Sequence, residues 1–252
     1  FTLGAFAVDE IELSDDDKWL FATQLGLDMT FKNKSSFKIA LAYYDYHNIE
    51  GKRSPVSQPN LYDSTAPAFV QKGNSMFDIS NELGEPFQRF GLAPDYNLLD
   101  LAFIYDMARY SPYHFIITGD YVENIGYDAD EITQRLEGGA MFANSPFFTD
   151  DPANEQTTGY KLQFLLGWPK TLVRNSWNVF FSFRHLERDA VLDAFADSDF
   201  HLGGTNAEGW IVGGSYALVD NVYLKARYLS ADEIVGPPLG IDVLQIDLNT
   251  KF

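Results

Sequence analysis

Ten stretches of this chain alternate apolar and polar residues with a period of two, which in an extended strand sends successive side chains to opposite faces. They run over 2 to 11, 18 to 31, 37 to 47, 97 to 109, 113 to 124, 158 to 169, 176 to 187, 208 to 219, 221 to 231 and 241 to 252. In the last, Leu244, Ile246, Leu248, Thr250 and Phe252 share one face while Val243, Gln245, Asp247, Asn249 and Lys251 share the other. The same split recurs upstream, with Trp177, Val179, Phe181 and Phe183 or Tyr160, Leu162, Phe164, Leu166 and Trp168 on the apolar side. Aromatic residues gather near strand ends, as at Trp19, Phe31, Tyr160, Trp168, Trp177, Trp210 and Phe252. One greasy face, one charged face and two aromatic girdles predict an all-β fold: a transmembrane antiparallel up-and-down β-barrel with about 10 strands in this chain.

The connections follow the rule that such barrels alternate short turns with long loops. Residues 32–36, 110–112, 170–175 and 220–221 are short links, whereas 50–96, 126–157, 189–207 and 232–240 are long. Short links at the periplasmic end place both termini there, and the strand number is even. Segment 51–95 holds Pro55, Pro59, Pro67, Pro86 and Pro94 among Phe69, Val70, Met76, Phe77, Ile79, Phe87 and Phe90. It is expected to fold compactly, as an extracellular loop or one inserted into the lumen.

Composition sharpens this picture. The 252 residues contain no run of about 20 apolar residues, so no transmembrane helix is predicted. A mean hydropathy of -0.18 agrees with strands whose lumen side is polar. No Pro/Gly/Ser-rich linker divides the chain, which reads as a single domain over 1–252. The absence of cysteine removes disulfides and thiolate chemistry, and a net charge of -18 argues against nucleic acid as a partner. Acidic residues cluster between strands, at Asp128, Asp130 and Glu131 and at Asp189, Asp193, Asp197 and Asp199, which reads as a solvated rim. Calcium capture there would suit oxygen ligands, but no EF-hand spacing is present, and no metal site is predicted.

From Asp197 the stretch DSDFHLGGTNAEGWIVGGSYALVDNVYLKARYLSADEI, followed by GPPLGIDVLQIDLNTKF, resembles the C-terminal end of the bacterial "putative porin" family of Gram-negative outer membranes. The segment YDSTAPAFVQKGNSMFDI at 62–79 is similar to the same family. The resemblance implies an outer-membrane porin, passive diffusion of small ions and solutes, and no cofactor. Its partners would be outer-membrane lipid and lipopolysaccharide, with association between copies left open by the sequence. The terminal Phe252, with Gln245 at a polar position, resembles the signal read by the barrel-assembly machinery, although Asp247 and Thr250 depart from it. Family members are considerably longer, and this chain opens inside a strand-like stretch without a signal segment. Two expectations follow: a barrel of about 10 strands whose lumen side chains nearly fill, or the later part of a larger barrel of about 16.

Parity assigns the lumen face Lys38, Lys161, Arg184, Arg188, Lys225, Arg227 and Lys251 as cations, with Asp28, Asp100, Asp106, Asp120 and Asp247 as anions. Opposed walls of charge create a transverse field that tunes ion preference, whereas cross-strand pairing would merely brace a narrow interior. Arg184, Arg188, Lys225 and Arg227 are expected to form one basic patch that attracts carboxylates. Two other readings compete. The barrel could anchor or sleeve another envelope component, or it could be a ten-stranded outer-membrane hydrolase. For catalysis, His201 beside Asp197 and Asp199 is the one plausible rim constellation; His185 has lipid parity and His114 lies near the periplasmic end. No G-x-S-x-G, Walker or H-E-x-x-H pattern appears, and the chain is not predicted to be an enzyme.

Overall fold

The computed structural model describes residues 1–11, 16–80, 89–137 and 154–251. Phe252, Pro86 and Phe87 lie outside the described residues. The period-two stretches become ten long strands: β1 (Thr2–Asp9), β2 (Lys18–Thr30), β3 (Ser36–His47), β6 (Asn97–Tyr110), β7 (Tyr113–Asn124), β8 (Thr158–Gly167), β9 (Trp177–Leu186), β10 (Ala207–Val219), β11 (Val222–Glu233) and β12 (Gly240–Thr250). Between β3 and β6 lie two short strands, β4 (Met76–Asp78) and β5 (Phe90–Leu92), and after β7 comes helix α1 (Ala129–Glu137). The ten long strands form one sheet in the order β1-β2-β3-β6-β7-β8-β9-β10-β11-β12, each antiparallel to its neighbours. Apart from the excursion through β4 and β5, that is the expected up-and-down order.

Register confirms the two faces. Across β9 and β10, Phe181 stands opposite Val212 and Phe183 opposite Trp210. One residue over, Arg184 stands opposite Gly209 and Asn178 opposite Ser215. The apolar face remains open to its surroundings, with Leu25, Leu41, Leu101, Leu166, Phe181, Val212 and Leu224 all exposed. A water-soluble sheet would bury such a row, so the solvent that suits it is hydrocarbon. Aromatic pairs frame the face. Trp19–Phe21, Tyr160–Phe183 and Trp210–Tyr228 lie toward the long-loop end, and Tyr113–Trp177, with centroids 5.8 Å apart, lies at the turn end.

Among the described residues no ladder joins β1 to β12, so each has one unpaired edge. The β12 row Leu244, Ile246 and Leu248 is 64 to 67% exposed. Backbone donors and acceptors left open in hydrocarbon are strongly disfavoured, so in a bilayer both edges require pairing.

The described parts of segment 49–96, residues 49–80 and 89–96, do fold compactly, and they pack on the polar face at the long-loop end. Ile49, Met76, Leu92 and Tyr96 form a core with the strand residues Tyr46, Leu98 and Val122 and with Leu192 of the β9–β10 loop. Burying a large aliphatic or aromatic side chain contributes about 1.5–3 kcal/mol, so this cluster holds the segment down. A second cluster joins Phe77, Ile79 and Ala93 to Ile132 of α1. Asp128 caps that helix by accepting bonds from the Asp130 and Glu131 amides at 2.9 and 3.1 Å. Gly51 and Gly91 meet so closely that a Cβ on either would stand within 2.7 Å of the other's Cα, which requires glycine at the crossing.

Candidate functional site

The polar face is the chemically distinctive surface, and its charges are segregated. Asp100 and Asp106 on β6 and Asp120 on β7 form the acidic side, and Lys161, Arg184, Arg227 and Lys225 on β8, β9 and β11 form the basic side. Asp120 and Lys161 are direct cross-strand neighbours, which marks the boundary between the two. Four of these groups, Asp100, Asp120, Lys161 and Arg184, line one cavity of about 350 Å³ roofed by Leu192 and Phe195. Other expected residues sit in local pairs. Lys38 meets Asp28 at 2.8 Å, and Asp106 meets His114 Nδ1 at 2.7 Å toward the turn end. Asp247 lies across from Lys225.

The basic side descends along the sheet. Gly209, Gly213 and Ser215 of β10 stand level with Arg184, Arg227 and Lys225 in turn, at about 3.3 Å per residue. Small residues opposite long cations leave room for them. Arg188 does not join this row. β9 ends at Leu186, and Arg188 lies beyond it, buried among the loops. Strand parity cannot be extended past the point where the chain leaves the sheet.

The β9–β10 loop folds back over the row. Asp197 reaches Arg184 at 3.4 Å, and Asp199 reaches Arg227 at 2.5 Å. The acidic rim is therefore partly turned inward, which charge clustering alone did not signal. Arg184 also lies over the Phe200 ring at 5.2 Å, and Arg227 donates through Nε to Gln245. These ion pairs dissolve the proposed rim constellation. His201 is buried, its Nδ1 faces Lys72 Nζ at 2.5 Å, and its Nε2 faces the Leu239 carbonyl at 2.8 Å. His201 thus ties three loops together and has neither aspartate as an orienting partner. Burial lowers the pKa of Lys72. His185 bonds Glu208 on the apolar side at 2.9 Å and stacks on Tyr160.

Asp189 and Asp193, expected on a solvated rim, are instead buried because their loop folds back onto segment 71–75, and the Asp189 carboxylate locks loop to loop. Asp189 accepts bonds from the Ser75 amide at 2.8 Å, the Ser75 hydroxyl at 2.6 Å and the Tyr96 hydroxyl at 3.0 Å. Beside it, the Asn74 side-chain amide donates to the Arg188 and Val191 carbonyls, and its carbonyl accepts from the Asp193 amide. Burial pushes Asp189 up to about 6 from its ordinary 3.8, against the opposing pull of these donors and of Arg188. The folded loop therefore binds this proton more tightly than the free chain. Its docking should strengthen as pH falls through about 6 toward 4, and bear the full burial cost above 6. We expect amide protection at residues 75–78, corrected for intrinsic exchange, to rise between pH 7.5 and 5 in the wild type and to stay flat in Asp189→Asn. A flat wild-type profile would refute this.

Among the described residues no helix is long and apolar enough to cross a membrane, and the crossing elements of this fold would be strands. No curated protein matches the chain. A family described as "Putative porin" does, over residues 1–252. That family points to a non-enzymatic channel of the outer membrane, in keeping with the antiparallel sheet and its two faces. From the match along its whole length, the chain belongs to this porin family.

Proposed function

We propose that this chain forms the wall of an outer-membrane pore through which small ions and solutes diffuse passively, sorted by charge. The observation that carries the reading is the split polar face, with Asp100 and Asp120 opposing Lys161 and Arg184 around one cavity. Charges fixed on rigid strands in a narrow aqueous path create a field that orients dipolar solutes and sets ion preference. The long loops then face outward among lipopolysaccharide, with both termini periplasmic. The C-terminal strand, with Gln245 and Phe252, is the segment offered to the assembly machinery.

The test is reversal potential in planar bilayers under a salt gradient. Replacing Arg184 and Arg227 with glutamate should shift preference toward cations by about three- to tenfold. Unchanged selectivity in a conducting variant would sink the charge-sorting reading. A wild-type protein that inserts without conducting would favour the anchor reading.

A further inference from the structure

At the turn end the polar face carries a second concavity, of about 570 Å³, lined by Lys170, Lys225 and Lys251 together with Asn178, Leu165 and Phe180. None of the three lysines has an ion pair among the described residues, although Asp247 lies one strand across from Lys225. Their backbones are tied into one frame. The Asn175 amide donates to the Ala217 carbonyl at 2.9 Å, Asn221 to Leu172 at 2.8 Å and Lys251 to Asn221 at 2.9 Å. Lys170 thus comes from the β8–β9 turn, Lys225 from β11 and Lys251 from the end of β12, on segments held in register with each other.

Three ammonium groups faced by the single carboxylate of Asp247 leave a net positive site, which attracts one negative charge strongly at low ionic strength. The side-chain amide of Asn178 can orient the oxygens of that charge, and Leu165 and Phe180 offer an apolar surface for a hydrocarbon portion. The volume falls in the range of small-ligand sites, about 300–1,000 Å³. We infer that this concavity is a binding site for a small organic carboxylate, with its head among the three lysines and its apolar body against Leu165 and Phe180. The inference rests on the reading of the polar face as a water-filled wall. It adds a step to that reading: an anion passing the Arg184 and Arg227 level meets a resting place before leaving at the turn end.

The experiment is calorimetric titration of the purified protein in detergent micelles at low salt, with benzoate as the probe and benzyl alcohol as its uncharged counterpart. Benzoate should bind more tightly than benzyl alcohol by about tenfold or more. Lys225→Gln and Lys251→Gln should each weaken benzoate about threefold, and together about tenfold, with added salt acting in the same direction. Arginine at both positions should restore binding, which separates lost charge from lost folding. Equal affinity for benzyl alcohol, or benzoate binding unmoved by the double glutamine variant, would overturn the site. Conductance in bilayers is read separately. A conducting protein that ignores benzoate loses only this site, whereas benzoate binding without conductance removes the pore and leaves the site.

Discussion

Asp189→Ala should release the segment 49–96 from the β9–β10 loop while leaving the ten-stranded sheet intact. The substitution strands the Ser75 amide, the Ser75 hydroxyl and the Tyr96 hydroxyl, each of which donates to this carboxylate. A buried donor deprived of its acceptor costs about 1–3 kcal/mol. Part of that is offset, because Asp189 itself is disfavoured by burial, as its rise to about 6 records. A net loss of about 3 kcal/mol in loop docking follows, or about a hundredfold faster exchange at residues 74–78. Asp189→Asn should be milder, since its amide oxygen keeps one donor while its NH₂ opposes another. Hydrogen exchange read beside circular dichroism checks both parts. Exchange within about fivefold of wild type would show that the apolar cluster around Met76 and Leu92 holds the segment unaided.

The second large effect is expected from Asp197→Asn with Asp199→Asn. These carboxylates sit on Arg184 and Arg227, where a permeating anion would sit. Their removal uncovers two cations that remain positioned, one by the Phe200 ring and the other by Gln245. Anion preference in bilayers should increase by about threefold or more. The direction is opposite to that of the arginine reversals, so the two experiments together separate the field of the wall from any general change in pore width. Selectivity that stays put in the double variant would mean that the arginines act only as braces for the loop.

The strands were legible because each is tested twice by its solvent, once by lipid and once by water, which writes alternation into nearly every residue. Boundaries fell within about two residues of the observed ones at β6, β7 and β10. The loops obey no such period. Asp189 and Ser75 are 114 residues apart, and nothing local in either announces the other. Asp197 and Asp199 read as a solvated rim because a charge run does not reveal where its loop turns. α1 did leave a signal, with Asp128 as cap, acids in the first turn, Arg135 in the last and Ala129, Ile132 and Leu136 at helical spacing, but it is only nine residues long inside a long connection. Parity alone puts Arg184 and Arg227 on the polar face, where the register has them, and it ends with the strand before Arg188.

The separation between Asp189 and Ser75 also orders assembly in time. Most long strands pair with the next in sequence across a short or moderate connection, so hairpins can form locally and add one after another. The segment between β3 and β6 cannot finish in that way. Its buried partners at Asp189 and Thr205 do not exist in place until β9 and β10 have joined the sheet. Chain synthesis presents this segment early, and the fold uses it late. The loops at that end are therefore fastened to one another only after the strands that carry them have paired.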